Sequence, residues 1–151
     1  MGILYETMTA ESRRRKVVND YVLFIHAEVK KRRGVAGSLI RTAYAAFTTM
    51  KRGHMEESVN FLLPPFMEVL DGYFEDFAAS GGKPAAFPEW IAPRALEVAD
   101  RLLAITDAAV AASGKVALQK AYALIRAVAR KNVAEAIPGM AAVAVKHMAA
   151  A

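Results

Sequence analysis

The chain has 151 residues, 55% of them hydrophobic and 23% charged, with a formal charge of +5 and no cysteine. That length suits one domain, and that apolar content builds a core rather than a disordered tail. The missing cysteine excludes a disulfide framework, cysteine-ligated zinc, iron–sulfur clusters and thiol nucleophiles.

Met1 to Glu6 lacks the basic stretch and following apolar run of a secretory signal, and Glu6 stands where a myristoylation motif has Ser or Thr. The most apolar stretch, Ala134 to Val145, falls short of the roughly 20 residues that span a bilayer. The expectation is a cytoplasmic protein with no membrane span. Alanine dominates: there are 31, of which 21 lie from Ala92 onward. Alanine loses no side-chain entropy in a helix, and no Val/Ile/Thr-rich alternation marks a strand, so the class is all-α.

Helix one is predicted over Glu11 to Arg32, with Thr9 as its N-cap and Gly34 as its stop. Val18, Tyr21, Val22, Ile25 and Val29 share one helical face. Helix two covers Val35 to Met50 and presents Ile40, Ala43, Tyr44 and Phe47, with Gly53 behind it as a C-terminal signal. A third region, His54 to Ala79, carries Val59, Leu62, Leu63, Phe66, Leu70 and Phe74. Pro64 and Pro65 leave it either one kinked helix or two helices that meet there. Ser80 to Pro84 is a break, and Phe87, Trp90 and Ile91 anchor the connection to the core. Three further helices follow: Pro93 to Ala112, with Pro93 in its first turn, then Lys115 to Arg130 and Asn132 to Met148.

The second half echoes the first. Val18, Asp20, Val22 and Ile25 align with Val98, Asp100, Leu102 and Ile105 at a spacing of 80. Ile40, Ala43, Tyr44, Ala45 and Phe47 align with Leu118, Ala121, Tyr122, Ala123 and Ile125 at 78, as do Arg52, Glu57 and Val59 with Arg130, Glu135 and Ile137. Pro64 and Pro138 stand 74 apart. The reading is a single helical domain over residues 1–151, a six-helix bundle built from two repeated three-helix units. Repeat one covers about 11–79, the connection about 80–92 and repeat two about 93–148.

Val17-Val18 to Glu28-Val29, Gly34 to Gly37, Ala43-Tyr44, Leu62-Leu63-Pro64, Glu97 to Asp100, Leu103 to Asp107 and Lys120-Ala121-Tyr122 together resemble an uncharacterised family of short all-helical, mainly actinobacterial proteins. The resemblance runs from about Val17 to Met148. It implies an all-helical fold and transfers no site residue.

No catalytic constellation emerges, so the expectation is a protein that is not an enzyme and takes no cofactor or metal. His54 and Glu57 are three apart, but the aligned pair Asn132 and Glu135 reads as a capping box, which makes both pairs helix starts rather than metal ligands. His26 reads as a boundary residue of helix one. Gly34 to Gly37 and Gly81-Gly82 lack the lysine and the strand–loop–helix setting of a phosphate loop. Tyr44 and Tyr122 read as paired core aromatics. The alternative is an apolar ligand slot between the repeats, with Tyr44, Tyr122, Phe66 and Met67 as walls and Met50 and Met55 beside them.

Helix one is bracketed by Arg13-Arg14-Arg15-Lys16 and Lys30-Lys31-Arg32-Arg33. Cations suit the C-terminal end of a helix, but those at its start oppose the helix dipole, which marks Arg13, Arg14, Arg15 and Lys16 as a contact for an acidic partner. No aromatic or Asn/Gln is interleaved to read bases, so any nucleic-acid binding there would be nonspecific. Charge follows a basic–acidic–basic order. Residues 1–55 hold 11 basic and 4 acidic side chains, residues 56–107 hold 3 and 10, and residues 108–151 hold 6 and 1. This order favours a self-associating interaction module, a dimer or one bound to a protein partner, over a nucleic-acid binder.

Overall fold

The computed structural model describes all residues 1–151. It is all-helical: α1 Ile3–Thr9, α2 Glu11–Lys31, α3 Gly34–Thr49, α4 His54–Ala79, the single-turn α5 Phe87–Ile91, α6 Ala95–Ala112 and α7 Val116–Ala149, with 3-10 turns at Pro84–Ala86 and Ala92–Arg94.

Helix α2 packs beside α4, α4 beside α6, α6 beside α7 and α7 beside α2, so four helices close a ring. Periodic apolar residues supply its core: Val17 and Tyr21 from α2, Leu63, Met67, Leu70 and Phe74 from α4, Val98 and Leu102 from α6, and Ile137, Ala141 and Ala144 from α7. The two short helices plug it. α1 buries Leu4 and Met8, and α5 buries Phe87 and Ile91, all four fully sequestered. Phe87 meets Phe74 edge to face at 5.1 Å and lies 5.4 Å from Phe77, and the Arg94 guanidinium stacks 3.7 Å over Trp90. Of the anticipated anchors of the connection, Phe87 and Ile91 are core residues and Trp90 packs half-buried against them. Helix α3 lies outside the ring against α7, α2 and α4.

Gly53 ends the α3–α4 connection in the left-handed region at φ +75°, which suits a residue without Cβ. Pro64 and Pro65 sit inside one continuous α4. Of the two arrangements the prolines left open, the structure takes the single helix.

Three local expectations change. Thr9 is no cap: it is the last residue of α1, its hydroxyl bonds the Tyr5 carbonyl at 2.7 Å, and α2 starts after an extended Ala10. Helix α1 itself has no cap in its own sequence. Buried Asp71 on α4 supplies one, accepting the Gly2 and Tyr5 amide N–H at 2.9 and 3.0 Å. Asn132 does not open a helix either. The expected fifth and sixth helices are one α7 of 34 residues, and the Asn132 amide donates at 2.7 Å to the Val128 carbonyl one turn back. No Gly or Pro lies between Val116 and Ile137 to break an alanine-rich run, so the helix continues. Pro138 is accommodated inside it. At Gly139, next to that proline, α7 comes close to α2: a Cβ there would lie 2.5 Å from the Phe24 ring.

Candidate functional site

Built from its side chains, the run Arg13 to Lys16 divides by face, as 100° per residue requires. Arg13 reaches the end of α7 and donates to the Ala150 carbonyl at 2.6 Å. Arg14 clamps α4, donating to the Asn60 side-chain oxygen at 2.7 Å and its carbonyl at 3.0 Å. Arg15 and Lys16 are exposed. The cations that opposed the dipole of α2 thus serve other helices, Arg13 satisfying a carbonyl at the negative end of α7. The second run behaves alike. Arg32 is held by the Asn132 carbonyl at 3.1 Å, Glu135 at 3.5 Å and Glu28 at 3.7 Å, while Lys30 and Arg33 face solvent. Neither run forms one continuous basic face.

Where the start of α2 meets the end of α7, a polar cleft of about 620 Å³ opens between Ser12, Arg13, Lys16, Asn19, Asp20, Lys146, His147 and Ala150. His147 is buried, and its Nε2 lies 2.7 Å from Asp20 Oδ2; Lys146 Nζ lies 3.6 Å from the same oxygen. Sequence reasoning missed this pair because 127 residues separate its members. The one available signal was a histidine standing in an otherwise apolar helical stripe with Ile137, Ala141 and Ala144.

Phe66 and Met67 do line an apolar slot, of about 90 Å³, with Tyr21, Phe24, Ile25, Val59, Leu62, Leu63 and Met140. Tyr44, Tyr122, Met50 and Met55 are not among its walls. The tyrosines instead join helices. Tyr44 on α3 places its hydroxyl 3.3 Å from His26 Nδ1 on α2, and burial, followed by the Glu56 charge, raises its pKa. Tyr122 on α7 meets the Thr106 hydroxyl at 2.7 Å and donates to Asp107 on α6. Arg126 grips Asp107 with two bonds of 2.9 and 3.2 Å, and Arg130 grips Asp100 with two of 2.7 and 3.0 Å. Hydrogen bonding from Arg126 holds the Asp107 carboxyl below its ordinary range, and Arg130 does the same for Asp100. These pairs lie at the surface, so they fix the register of α6 on α7 more than they stabilise it.

His54 opens α4, stacks at 4.1 Å on Phe47 and sets its Nδ1 3.2 Å from the Phe47 carbonyl. It is a joint between α3 and α4. No three His, Asp or Glu side chains converge as a metal-ligand set, and no helix is long and apolar enough to cross a membrane.

The last surface of note is α3. Only Gly37 of its sixteen residues is buried, and its one charged residue is Arg41, whose guanidinium is turned back onto the Arg32 carbonyl. Val35, Leu39, Thr42, Ala46 and Thr49 are all exposed, Val35 to 82%. Their alternating spacings of four and three place them on one stripe. Leu23 on α2 and Leu124 on α7, helices that α3 packs against, add exposures of 68% and 66%.

Residues 4–148 match the family of unknown function DUF6918, and the chain belongs to that family. No curated protein and no solved structure matches it.

Proposed function

We propose that this member of the family is a cytoplasmic, non-catalytic helical interaction module that self-associates through the outer stripe of α3. The observation that carries the reading is that stripe: five uncharged residues in coiled-coil spacing on a helix that buries one glycine. A face of this kind is costly to leave in water and suits a second helix with the same pattern. The occupant we assign is the α3 of a second copy, antiparallel about a two-fold axis centred on Thr42, since a symmetric dimer places one patch on itself. Thr42 and Ala46 are small enough for close approach, and the Arg41 guanidinium is held on the Arg32 carbonyl of its own chain. A stripe on one helix of sixteen residues, about 24 Å long, is at the small end of interfaces, so the dimer is reversible.

Sedimentation equilibrium across a concentration series tests it. The full chain is expected to approach twice 16.4 kDa with rising concentration, and Leu39→Glu to hold it at monomer mass. A monomer at every concentration, or a dimer indifferent to Leu39→Glu, refutes the reading.

We further infer that the chain is an internal duplication, each unit starting from a short helix. The supports are parallel details. Tyr44 meets His26 as Tyr122 meets Thr106, at the spacings of 78 and 80 that relate the halves. Leu4 and Met8 are buried four apart on α1, as Phe87 and Ile91 are on α5. Leu63, Met67 and Leu70 are buried in the same steps as Ile137, Ala141 and Ala144. Superposition of α1–α4 on α5–α7 with matching crossing angles would support the duplication, and unrelated crossing angles in the two units would refute it.

A further inference from the structure

The cleft between α2 and α7 is the second unassigned feature, and it stands independently of the α3 stripe. Its cations are Arg13 and Lys16 from α2 and Lys146 from α7, with His147 beside them. Its one carboxylate is Asp20, whose contacts with His147 and Lys146 both run through Oδ2. Oδ1 is left free to accept a further hydrogen bond. Ser12 and Asn19 add a hydroxyl and an amide. Ala150 is the one apolar residue among the eight, and no Phe, Tyr or Trp lines the walls.

We propose that this cleft binds a phosphorylated polyol, a small molecule carrying a phosphate monoester and neighbouring hydroxyl groups. Arg13, Lys16 and Lys146 line the cleft from two helices, so a dianionic group within it meets cations from both sides. Asp20 does not repel it outright, because Lys146 lies 3.6 Å from its Oδ2 and offsets its charge. The free Oδ1 and the Asn19 amide are the acceptor and donor that hydroxyl groups pair with. The one ring in the lining, His147, is buried and held by Asp20, which leaves a nucleotide base no exposed face to stack on and disfavours a nucleotide. The volume lies within the range of small-molecule sites. Two of the four cations in the run at the start of α2, Arg13 and Lys16, thereby gain a common target, an anion smaller than the acidic partner that the sequence implied.

Isothermal titration calorimetry of the full chain with glucose 6-phosphate, glucose, inorganic phosphate and AMP tests the assignment, with amide chemical shifts to locate the site. Glucose 6-phosphate is expected to saturate, to bind several-fold tighter than phosphate or AMP, and to shift Ser12 to Asp20 and Lys146 to Ala150. Lys16 and Lys146 are exposed, so the double variant Lys16→Ala, Lys146→Ala should keep its far-UV spectrum while losing at least tenfold in affinity. Leu39→Glu should leave that affinity unchanged. Absent saturation, phosphate or AMP binding as tightly as glucose 6-phosphate, or an undiminished affinity in the folded double variant overturns the proposal.

Discussion

Asp71 is the remote cap of α1, and removing it should expose how that helix is held. Its carboxylate is 3% exposed and accepts two backbone N–H groups, from Gly2 at 2.9 Å and Tyr5 at 3.0 Å. Each bond to a charged acceptor contributes about 1.5–3 kcal/mol, and lost helix caps cost up to about 2 kcal/mol. The Gly2 end is partly open to water, which recovers some of its bond. Asp71→Ala is therefore expected to lose about 3 kcal/mol, or a drop of about 6–12 °C in Tm for a chain of this size. Asp71→Asn keeps one acceptor oxygen and turns its amide toward the other donor, so it should lose roughly half as much. If α1 comes away altogether, Leu4 and Met8 leave the core with it, and the urea transition should gain a step at low denaturant rather than only shift. Urea and thermal unfolding of the three proteins provide the assay. A loss below about 1 kcal/mol for Asp71→Ala, or an asparagine variant no better than the alanine one, would refute the capping argument.

Gly139→Ala should cost about 1–3 kcal/mol by overpacking, since its Cβ would lie 2.5 Å from the Phe24 ring, and Phe24→Leu in the same chain should restore part of the loss. Unfolding midpoints of the single and double variants check this. Tyr21 gives an alkaline signature. Burial raises its pKa, with the Asp20 charge adding to the effect, and its hydroxyl donates to the Met140 carbonyl at 3.0 Å. The folded state keeps that phenol neutral while the unfolded chain ionises it near pH 10, so its contribution is whole below pH 10 and declines as pH rises above it. Tyr21→Phe should be less stable at pH 7 by about 1 kcal/mol and should show a shallower loss between pH 9 and 11, measured by urea unfolding.

The elements that were legible in the sequence are those whose signals are local. Helix faces such as Val18, Tyr21 and Val22 follow from spacing, whereas Gly53, expected as the stop of helix two, stands four residues beyond the end of α3 and precedes the first residue of α4 in the left-handed region. Helix α1 escaped because its two core residues span one turn and its cap lies 69 residues away on α4. The break expected at Asn132 failed because the same side chain that caps a helix also bonds the carbonyl four residues back, and nothing nearby interrupts the alanine-rich backbone. The site divides in the same way. Phe66 and Met67 share a wall because they are neighbours on α4, whereas the joining of Asp20 to His147 depends on the ring closure of α2 on α7. The basic run illustrates the limit of charge patterning: Arg13 and Arg14 have structural partners on α7 and α4 that no local pattern records.

In the proposed dimer, α3 pairs with α3 of a second copy around Thr42. The chain has no cysteine, so one engineered thiol is unique. Thr42→Cys under mild oxidation should form a disulfide-linked dimer rapidly, because an antiparallel pair brings those Cα atoms within about 7 Å. Ala104→Cys, at an exposed position of α6, should form little. Equal and slow cross-linking of the two variants would contradict the account.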